Sequence, residues 1–179
     1  MIQSDPNTAQ MSLVISQDTT ACFTGHRPKH IENGYDELSA TVLSIKSQLR
    51  SAIEDAISEG YNTFISGGAL GVDQWAAECV LSYPGIRLII ALPLARVNPR
   101  WPEHAVVRLA QLIKRIPPHD VVVVSNGPYH PGVMTKRNIW MVNKSSKLIA
   151  VYSGVPGGTD KCIKYAKSSG GIRIVVIKP

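Results

Sequence analysis

Two glycine-rich turns are the segments of this sequence best suited to bind an anion. The first runs from Ser66 to Asp73 as Ser-Gly-Gly-Ala-Leu-Gly-Val-Asp, and the second runs from Gly154 to Asp160 as Gly-Val-Pro-Gly-Gly-Thr-Asp. Because glycine has no Cβ, its backbone N–H can approach an anion closely, and a helix that follows adds the positive end of its dipole. Both turns therefore predict a phosphate site. The alternative for each is a tight strand-to-helix turn without a ligand.

Neither turn matches the two common nucleotide-binding fingerprints. No Gly-Lys-Ser/Thr ending follows either turn, so the P-loop of ATPases is absent. The dinucleotide pattern Gly-x-Gly-x-x-Gly is also absent, because the glycine spacing differs and neither turn follows the first strand. Conventional ATPases and NAD-dependent dehydrogenases are therefore disfavoured.

Side chains near the turns supply groups that could hold a nucleotide. Arg27 and Arg137 carry planar guanidinium groups that suit a phosphate. Asp73 could accept hydrogen bonds from a ribose or simply stabilise a helix N-terminus. Tyr129, which lies in a loop, could stack on a base. His26 could be a general acid or base, although a loop histidine is more often only a hydrogen-bonding residue.

Strand and helix patterns alternate about six times along the chain. Residues 86–92 form a nearly continuous apolar run, as expected of a strand buried on both faces. Residues 36–59 are amphipathic with three- and four-residue spacing, and Asp36 is the predicted cap of this helix. The alternation predicts an α/β fold with one Rossmann-like, doubly wound, mostly parallel sheet and helices on both faces. We expect a flexible tail over residues 1–17 and one domain over residues 18–179.

In a doubly wound sheet, ligands bind outside the carboxyl ends of the strands. The loops that follow the strands should therefore carry the function, although no catalytic residue is assigned. The predicted ligand-binding residues are Gly25, His26, Arg27, Ser66, Gly67, Gly68, Ala69, Gly71, Asp73, Tyr129, Arg137, Gly157, Gly158 and Thr159.

The charge of the chain agrees with an anionic partner without identifying it. Its 179 residues include 19 Lys and Arg against 13 Asp and Glu, a net charge of +6. The basic residues are scattered and form no stripe with interleaved aromatics, which disfavours nucleic acid as the partner.

The remaining composition predicts a cytoplasmic protein without a cofactor. Cys22, Cys79 and Cys162 form no Cys-x-x-Cys pair, and no histidine has a carboxylate or cysteine at ligand spacing. We therefore expect neither a disulfide framework nor a metal. No secretory signal is recognisable, and the apolar runs are too short to span a membrane.

The motifs resemble those of a known family. Thr24-Gly25-His26-Arg27-Pro28, together with the segment from Ser66 to Glu78, looks like the YpsA-like branch of the SLOG superfamily over about residues 21–177. SLOG proteins are Rossmann-like domains, related to LOG and DprA/SMF proteins, that bind nucleotides, nucleotide-derived signals or nucleic acids. The resemblance implies a ligand over the two glycine-rich turns, often in a homo-oligomer.

The resemblance to the LOG branch of phosphoribohydrolases is partial. Their signature is Met-x-x-Arg-Lys followed by Pro-Gly-Gly-x-Gly-Thr-x-x-Glu. This chain has Met134 and Arg137 but Asn138 for the lysine, and its second turn is two residues shorter. Aligning Gly158 and Thr159 with the Gly-Thr pair puts Cys162 at the glutamate, and a thiol cannot supply that carboxylate's negative charge.

Three functions remain open at this point. The first is binding of a nucleotide or an ADP-ribose-like ligand, as a sensor or sequestering protein. The second is cleavage of a nucleotide N-glycosidic bond, with Asp73 or Asp120 as the carboxylate. The third is binding of single-stranded nucleic acid.

Overall fold

The computed structural model describes residues 13–95 and 101–179, which form a sheet of six strands with helices between them. The strands are β1 (Thr20–Gly25), β2 (Thr63–Ser66), β3 (Arg87–Leu92), β4 (Val121–Val123), β5 (Lys147–Val151) and β6 (Arg173–Ile177). The helices are α1 (Ala40–Ser58), α2 (Val72–Val80), α3 (Glu103–Lys114), α4 (Val133–Asn143) and α5 (Gly158–Ser169). The predicted α/β class is confirmed.

All the strand pairs are parallel, in the order β4-β3-β2-β1-β5-β6. The chain builds one half of the sheet outward from β1 and then returns to place β5 on the other side of β1. The strand order therefore reverses between β1 and β5, which makes the carboxyl ends of these two strands the topological switch point.

The sheet separates two hydrophobic cores. One core joins the sheet to α1, α2 and α3, and the other joins it to α4 and α5. Alternation along β1 shows the division, since Phe23 packs in the first core and Cys22 packs in the second. Both faces of the central strands are buried, which explains their continuous apolar runs.

The predicted N-terminal tail falls largely on residues 1–12, which lie outside the described residues. In the part that is described, Leu13 and Ile15 pack against the second core. The carbonyl of Val14 accepts a hydrogen bond of 2.7 Å from Arg87 Nη1. No helix in the described residues is long and apolar enough to cross a membrane.

The first helix begins later than its hydrophobic pattern predicts. Ser39 is the N-cap, and its Oγ accepts a hydrogen bond of 3.3 Å from the Val42 N–H. Asp36, the predicted cap, instead accepts a bond of 3.0 Å from the Leu38 N–H in the preceding turn. The pattern was misleading because Asp and Ser both favour caps and turns, and only the backbone path decides between them.

A charged network joins this turn to the helices of the first core. Glu37 accepts hydrogen bonds from both terminal nitrogens of Arg108, from Lys46 and from Trp75 Nε1. Arg108 also contacts Glu78 at 2.8 Å. The Arg108 guanidinium, together with Lys46 and Trp75, lowers the pKa of Glu37 to about 2 against the opposing effect of partial burial.

Replacing the cap, Ser39→Ala, should lower the free energy of unfolding by about 1 kcal/mol, because the Val42 N–H loses its acceptor. Asp36→Ala should cost less, since that carboxylate is exposed and caps only a turn. Urea denaturation of both variants measures the difference. A larger loss for Asp36→Ala than for Ser39→Ala would contradict the assignment of the cap.

Glu37 should make the fold sensitive to acid. Its pKa is lower in the folded state than its ordinary value of 4.5. Its stabilisation is therefore present above about pH 4.5 and is lost as the pH falls towards 2.

Accordingly, Glu37→Gln should lower the free energy of unfolding at pH 7 by about 1 kcal/mol, a figure that allows for solvent screening. The variant should also lose less stability than the wild type between pH 7 and pH 3, as measured by urea midpoints. Glu32→Gln is the control, because Glu32 is exposed and makes no ion pair with a described residue. Equal acid sensitivity in wild type and Glu37→Gln would refute the role.

Candidate functional site

A cavity of about 850 Å³ lies at the carboxyl ends of β2, β3 and β4, beside the start of α4. We call it the Arg137 cavity. Most of its walls are apolar, with backbone from the first glycine-rich turn and one cationic side chain among the described lining residues. It is lined by Gly67 and Ala69, residues 92–95, Trp101 and Leu109, residues 125–129, and Val133, Met134 and Arg137.

Arg137 is buried at the floor of this cavity, with 5% of its surface exposed. Its Nη1 lies 3.5 Å from Asp73 Oδ2, an ion pair without the geometry of a hydrogen bond. Nε and Nη1 have no hydrogen-bond acceptor among the described residues. The guanidinium is therefore held near one carboxylate while much of its donor capacity stays unused.

Asp73 lies opposite Arg137 at the carboxyl ends of the strands, because α2 and α4 cover opposite faces of the sheet. It lies in the first turn of α2, and its Oδ2 also accepts a bond of 3.3 Å from the Ala69 N–H. Burial raises the pKa of Asp73, while the charge of Arg137 opposes this rise. The side chain that could have accepted a ribose hydroxyl is thus engaged with the turn and with Arg137.

Gly67 has a spatial reason to be glycine. A Cβ at this position would lie 1.4 Å from Arg137 Nη1 and 2.6 Å from Asp73 Oδ2. The missing side chain therefore makes room for the ion pair. Gly68 and Gly71 are glycines for a different reason, since their φ angles of +67° and +90° are in the left-handed region.

Hydrogen bonds within the turn keep it in this shape. Ser66 Oγ donates to the Asp73 carbonyl at 2.7 Å and accepts a bond of 3.2 Å from the Gly68 N–H. Gln74 Nε2 donates to the carbonyls of Gly68 and Ala105, at 3.2 and 2.9 Å. Ser66 is therefore a residue that closes the turn, and its hydroxyl does not line the cavity.

A second group of the predicted residues lies at the switch point between β1 and β5. His26 is buried, and its Nε2 contacts the Ser153 N–H at 3.0 Å and the Ser153 hydroxyl at 2.9 Å. Because Nε2 accepts the Ser153 N–H, the His26 ring is neutral. Burial, with a contribution from His30, lowers its pKa. Gly25 lies against α2, where a Cβ would be 2.4 Å from Val72 Cγ1.

The second glycine-rich turn does not line the Arg137 cavity. Gly157 and Gly158 are exposed, and a Cβ on either would meet no atom within 4 Å. Thr159 is buried at the start of α5. The structure thus brings Gly67, Ala69, Tyr129 and Arg137 of the predicted set together in one cavity, and leaves the second turn outside it.

Two other predicted groups lie close to the ion pair without lining the cavity. Arg27 is half-buried, and its charge acts on the pKa values of both Asp73 and Arg137. Its backbone carbonyl accepts a hydrogen bond from the His30 N–H, but its side chain makes no hydrogen bond or ion pair with a described residue. Cys162, on α5, is buried, and burial raises the pKa of its thiol to about 11. A neutral thiol therefore stands where the LOG resemblance has a glutamate.

Sequence reasoning included Tyr129 from the loop after β4 but left Trp101 and Ser125 out of the predicted site. Trp101 and Ser125 line the cavity, and each has a buried polar atom without a partner among the described residues. A usable signal was present, because loops after neighbouring parallel strands all meet at the same edge. In the described residues no cluster of three or more His, Cys, Asp or Glu side chains could hold a metal ion.

Comparison with known proteins gives a family and a set of relatives. The model of the YspA SLOG family matches residues 21–169. An uncharacterized SPbeta prophage-derived protein, YoqJ, of Bacillus subtilis is 35% identical over 143 residues, covering 72% of this chain and 84% of its own. A UPF0398 protein of Levilactobacillus brevis is 32% identical over 135 residues, covering 73% and 70%.

Two solved structures share the fold. One is DNA processing protein A from Helicobacter pylori, described with a single-stranded DNA binding mode, with a TM-score of 0.61 and 18% identity over 88% of this chain. The other is DNA processing protein A from Streptococcus pneumoniae, with a TM-score of 0.58 and 16% identity, also over 88% of this chain. This chain spans 64% and 49% of those two chains.

Gly67→Ala should destabilise the protein by about 1–3 kcal/mol, because the new Cβ would overlap Arg137 and force the ion pair apart. Gly158→Ala is the matched control, since its Cβ meets open space. Urea denaturation of the two variants measures the contrast. Equal stability of the two variants would show that Gly67 is not required for the Arg137–Asp73 contact.

Proposed function

This chain belongs to the YspA SLOG family, and we propose that it binds a nucleotide or nucleotide-derived ligand in the Arg137 cavity, as a sensor or sequestering protein. The observation that carries the proposal is the buried Arg137 guanidinium: the residue lines the cavity, and its Nε and Nη1 have no acceptor among the described residues. Phosphate and carboxylate oxygens are the acceptors that a guanidinium binds most strongly.

The cost of burying the unpaired donors of Arg137 favours the binding of an anion in the cavity. A buried donor without an acceptor costs about 1–3 kcal/mol, and Arg137 has two such nitrogens among the described contacts. Asp73 neutralises the charge through one contact only. A ligand anion would supply the missing acceptors, so part of this cost of burying unpaired donors would become affinity for the ligand.

The shape of the cavity agrees with a ligand of nucleotide size. Its volume of about 850 Å³ lies within the range of small-molecule sites, roughly 300–1,000 Å³. Its walls combine apolar side chains with the cationic end at Arg137, which suits a molecule with one anionic group and one ring. Tyr129, with 68% of its surface exposed, stands at the rim where a base could stack on it.

The other predicted residues are proposed as accessory. Arg27 is a second cation close to Asp73, without an ion-pair partner among the described residues, and could reach a second phosphate of a longer ligand. Gly157 and Gly158 leave the start of α5 open to solvent. A ligand that extended from the cavity to this turn would be of the ADP-ribose type.

Binding is better supported than hydrolysis of an N-glycosidic bond. Asp73 is engaged by Arg137 and by the Ala69 N–H, and Cys162 is a neutral thiol. Asp120 immediately precedes β4, at the amino-terminal edge of the sheet, where it pairs with Arg87. The other carboxylate considered from the sequence is therefore on the wrong edge to act on a ligand in the cavity.

Single-stranded DNA belongs in the test as a second ligand. The Helicobacter pylori protein that shares this fold is described with a single-stranded DNA binding mode. The expectation that nucleic acid is not a partner rests only on the scattered basic residues, and a net charge of +6 permits such binding. A homo-oligomer and a cytoplasmic location also remain proposals.

The first experiment is native mass spectrometry of freshly purified protein, which reports the oligomeric state and any co-purified molecule together. Calorimetric titration with nucleoside monophosphates, ADP-ribose and a single-stranded oligonucleotide then measures affinity. We expect saturable binding of a small nucleotide at physiological salt. An empty protein that binds no nucleotide would refute the proposal, and tight, steeply salt-dependent oligonucleotide binding would replace it.

The residue-level test replaces Arg137 without leaving Asp73 as an uncompensated buried charge. The double variant Asp73→Asn with Arg137→Gln should bind the ligand roughly 10- to 100-fold more weakly, because charged hydrogen bonds to the phosphate are lost. Arg173→Gln is the control, because this exposed arginine pairs with Glu59 at the opposite edge of the sheet. Equal losses in the two proteins would show that binding occurs elsewhere.

A further inference from the structure

Besides Arg137, two side chains of the Arg137 cavity have a buried hydrogen-bonding group that no described residue satisfies. Trp101 Nε1 and Ser125 Oγ are both inaccessible to water, and neither has a partner among the described residues. They come from separate parts of the chain, since Trp101 precedes α3 and Ser125 follows β4. Buried polar groups are paired in the great majority of cases, so two exceptions in one cavity require an explanation.

The chemistry of these groups restricts what could satisfy them. An indole N–H is a donor only, and a serine hydroxyl can donate or accept. A ligand that meets both groups therefore needs hydrogen-bond acceptors, such as a carbonyl oxygen or a ring nitrogen. Arg137 already supplies the charged end, so the acceptors that Trp101 and Ser125 require are neutral ones.

The apolar walls indicate which part of a ligand would carry these acceptors. Leu92, Leu109 and Val133 line the same cavity and favour an uncharged, flat group. A heterocyclic ring combines an apolar face with acceptors at its edge. A bare sugar phosphate has hydroxyl oxygens that could accept hydrogen bonds, but it offers no flat apolar face to these walls.

We propose that the ring of the ligand displaces the Trp101 and Ser125 side chains slightly, so that both groups donate hydrogen bonds to acceptors on its edge and select the ring, while Arg137 binds the phosphate. This inference rests on the proposed function, because it assigns the ring end of the same ligand. Such a division makes the phosphate a source of affinity for all ligands and makes the ring contacts the source of discrimination.

The test compares a nucleotide with its phosphate-bearing fragment. Calorimetry would measure the affinity of the wild type, Trp101→Phe and Ser125→Ala for AMP, GMP, UMP and ribose 5-phosphate. We expect the wild type to bind at least one of the three nucleotides about tenfold more tightly than ribose 5-phosphate. Each variant should reduce this ratio about fivefold or more, with the affinity for ribose 5-phosphate changed less than about twofold.

Trp75→Phe is the matched control. It removes an indole N–H that already has an acceptor, Glu37, and Trp75 does not line the cavity. Its ratio of nucleotide to ribose 5-phosphate affinity should equal that of the wild type. Urea denaturation of each variant verifies that the folded state is retained.

The outcomes separate this inference from the proposed function. If the wild type binds nucleotides and the Arg137 double variant does not, but the ratio is unchanged in Trp101→Phe and Ser125→Ala, only the ring-selection proposal is overturned. A parallel loss of nucleotide and ribose 5-phosphate affinity in both variants also overturns it, since the effect would then be on packing. If the wild type binds neither these four probes nor ADP-ribose, both proposals fail.

Discussion

The buried ion pair between Arg137 and Asp73 is the interaction on which the carboxyl edge of this sheet depends. Asp73 begins α2 and Arg137 lies in α4, and these helices cover opposite faces of the sheet. The two side chains can meet only above the ends of the strands, where no backbone separates the layers. One contact therefore connects the two halves of the fold at the place where a ligand would bind.

This constraint explains why the first glycine-rich turn has its sequence. Gly67 leaves the space that the ion pair occupies, and Gly68 and Gly71 allow the left-handed backbone that carries the chain into α2. Ser66 and Gln74 then hold the turn with hydrogen bonds to its own carbonyl and amide groups. The sequence predicts that these glycines bind a phosphate. In the structure, Gly67 also leaves the space that the Arg137 side chain occupies.

The pairing leaves Arg137 charged, buried and incompletely satisfied. A carboxylate that accepted two good hydrogen bonds from the guanidinium would close the site, but Asp73 contacts it at 3.5 Å and shares its oxygen with Ala69. The result is a cation that is held in position without being fully neutralised by hydrogen bonds. Such preorganisation would let the phosphate of the proposed ligand bind without the cost of ordering a long side chain.

The sequence by itself determined the class of fold, and it predicted the edge of the sheet at which we propose that the ligand binds. Alternating apolar and amphipathic runs predicted the parallel sheet, and the apolar run over residues 86–92 agrees with β3 (Arg87–Leu92), because periodicity is a local property. The sequence also put Arg137 and the first glycine-rich turn among the predicted ligand-binding residues.

Only the tertiary structure decided which loops share a cavity. The placement of Trp101 and Ser125 beside Arg137, the separation of the second turn, and the choice of Ser39 over Asp36 all depend on how distant elements pack. Residues that are neighbours in space across α2, α4 and three strand ends have no common signal in the sequence, since their contacts arise only when the two layers close on the sheet.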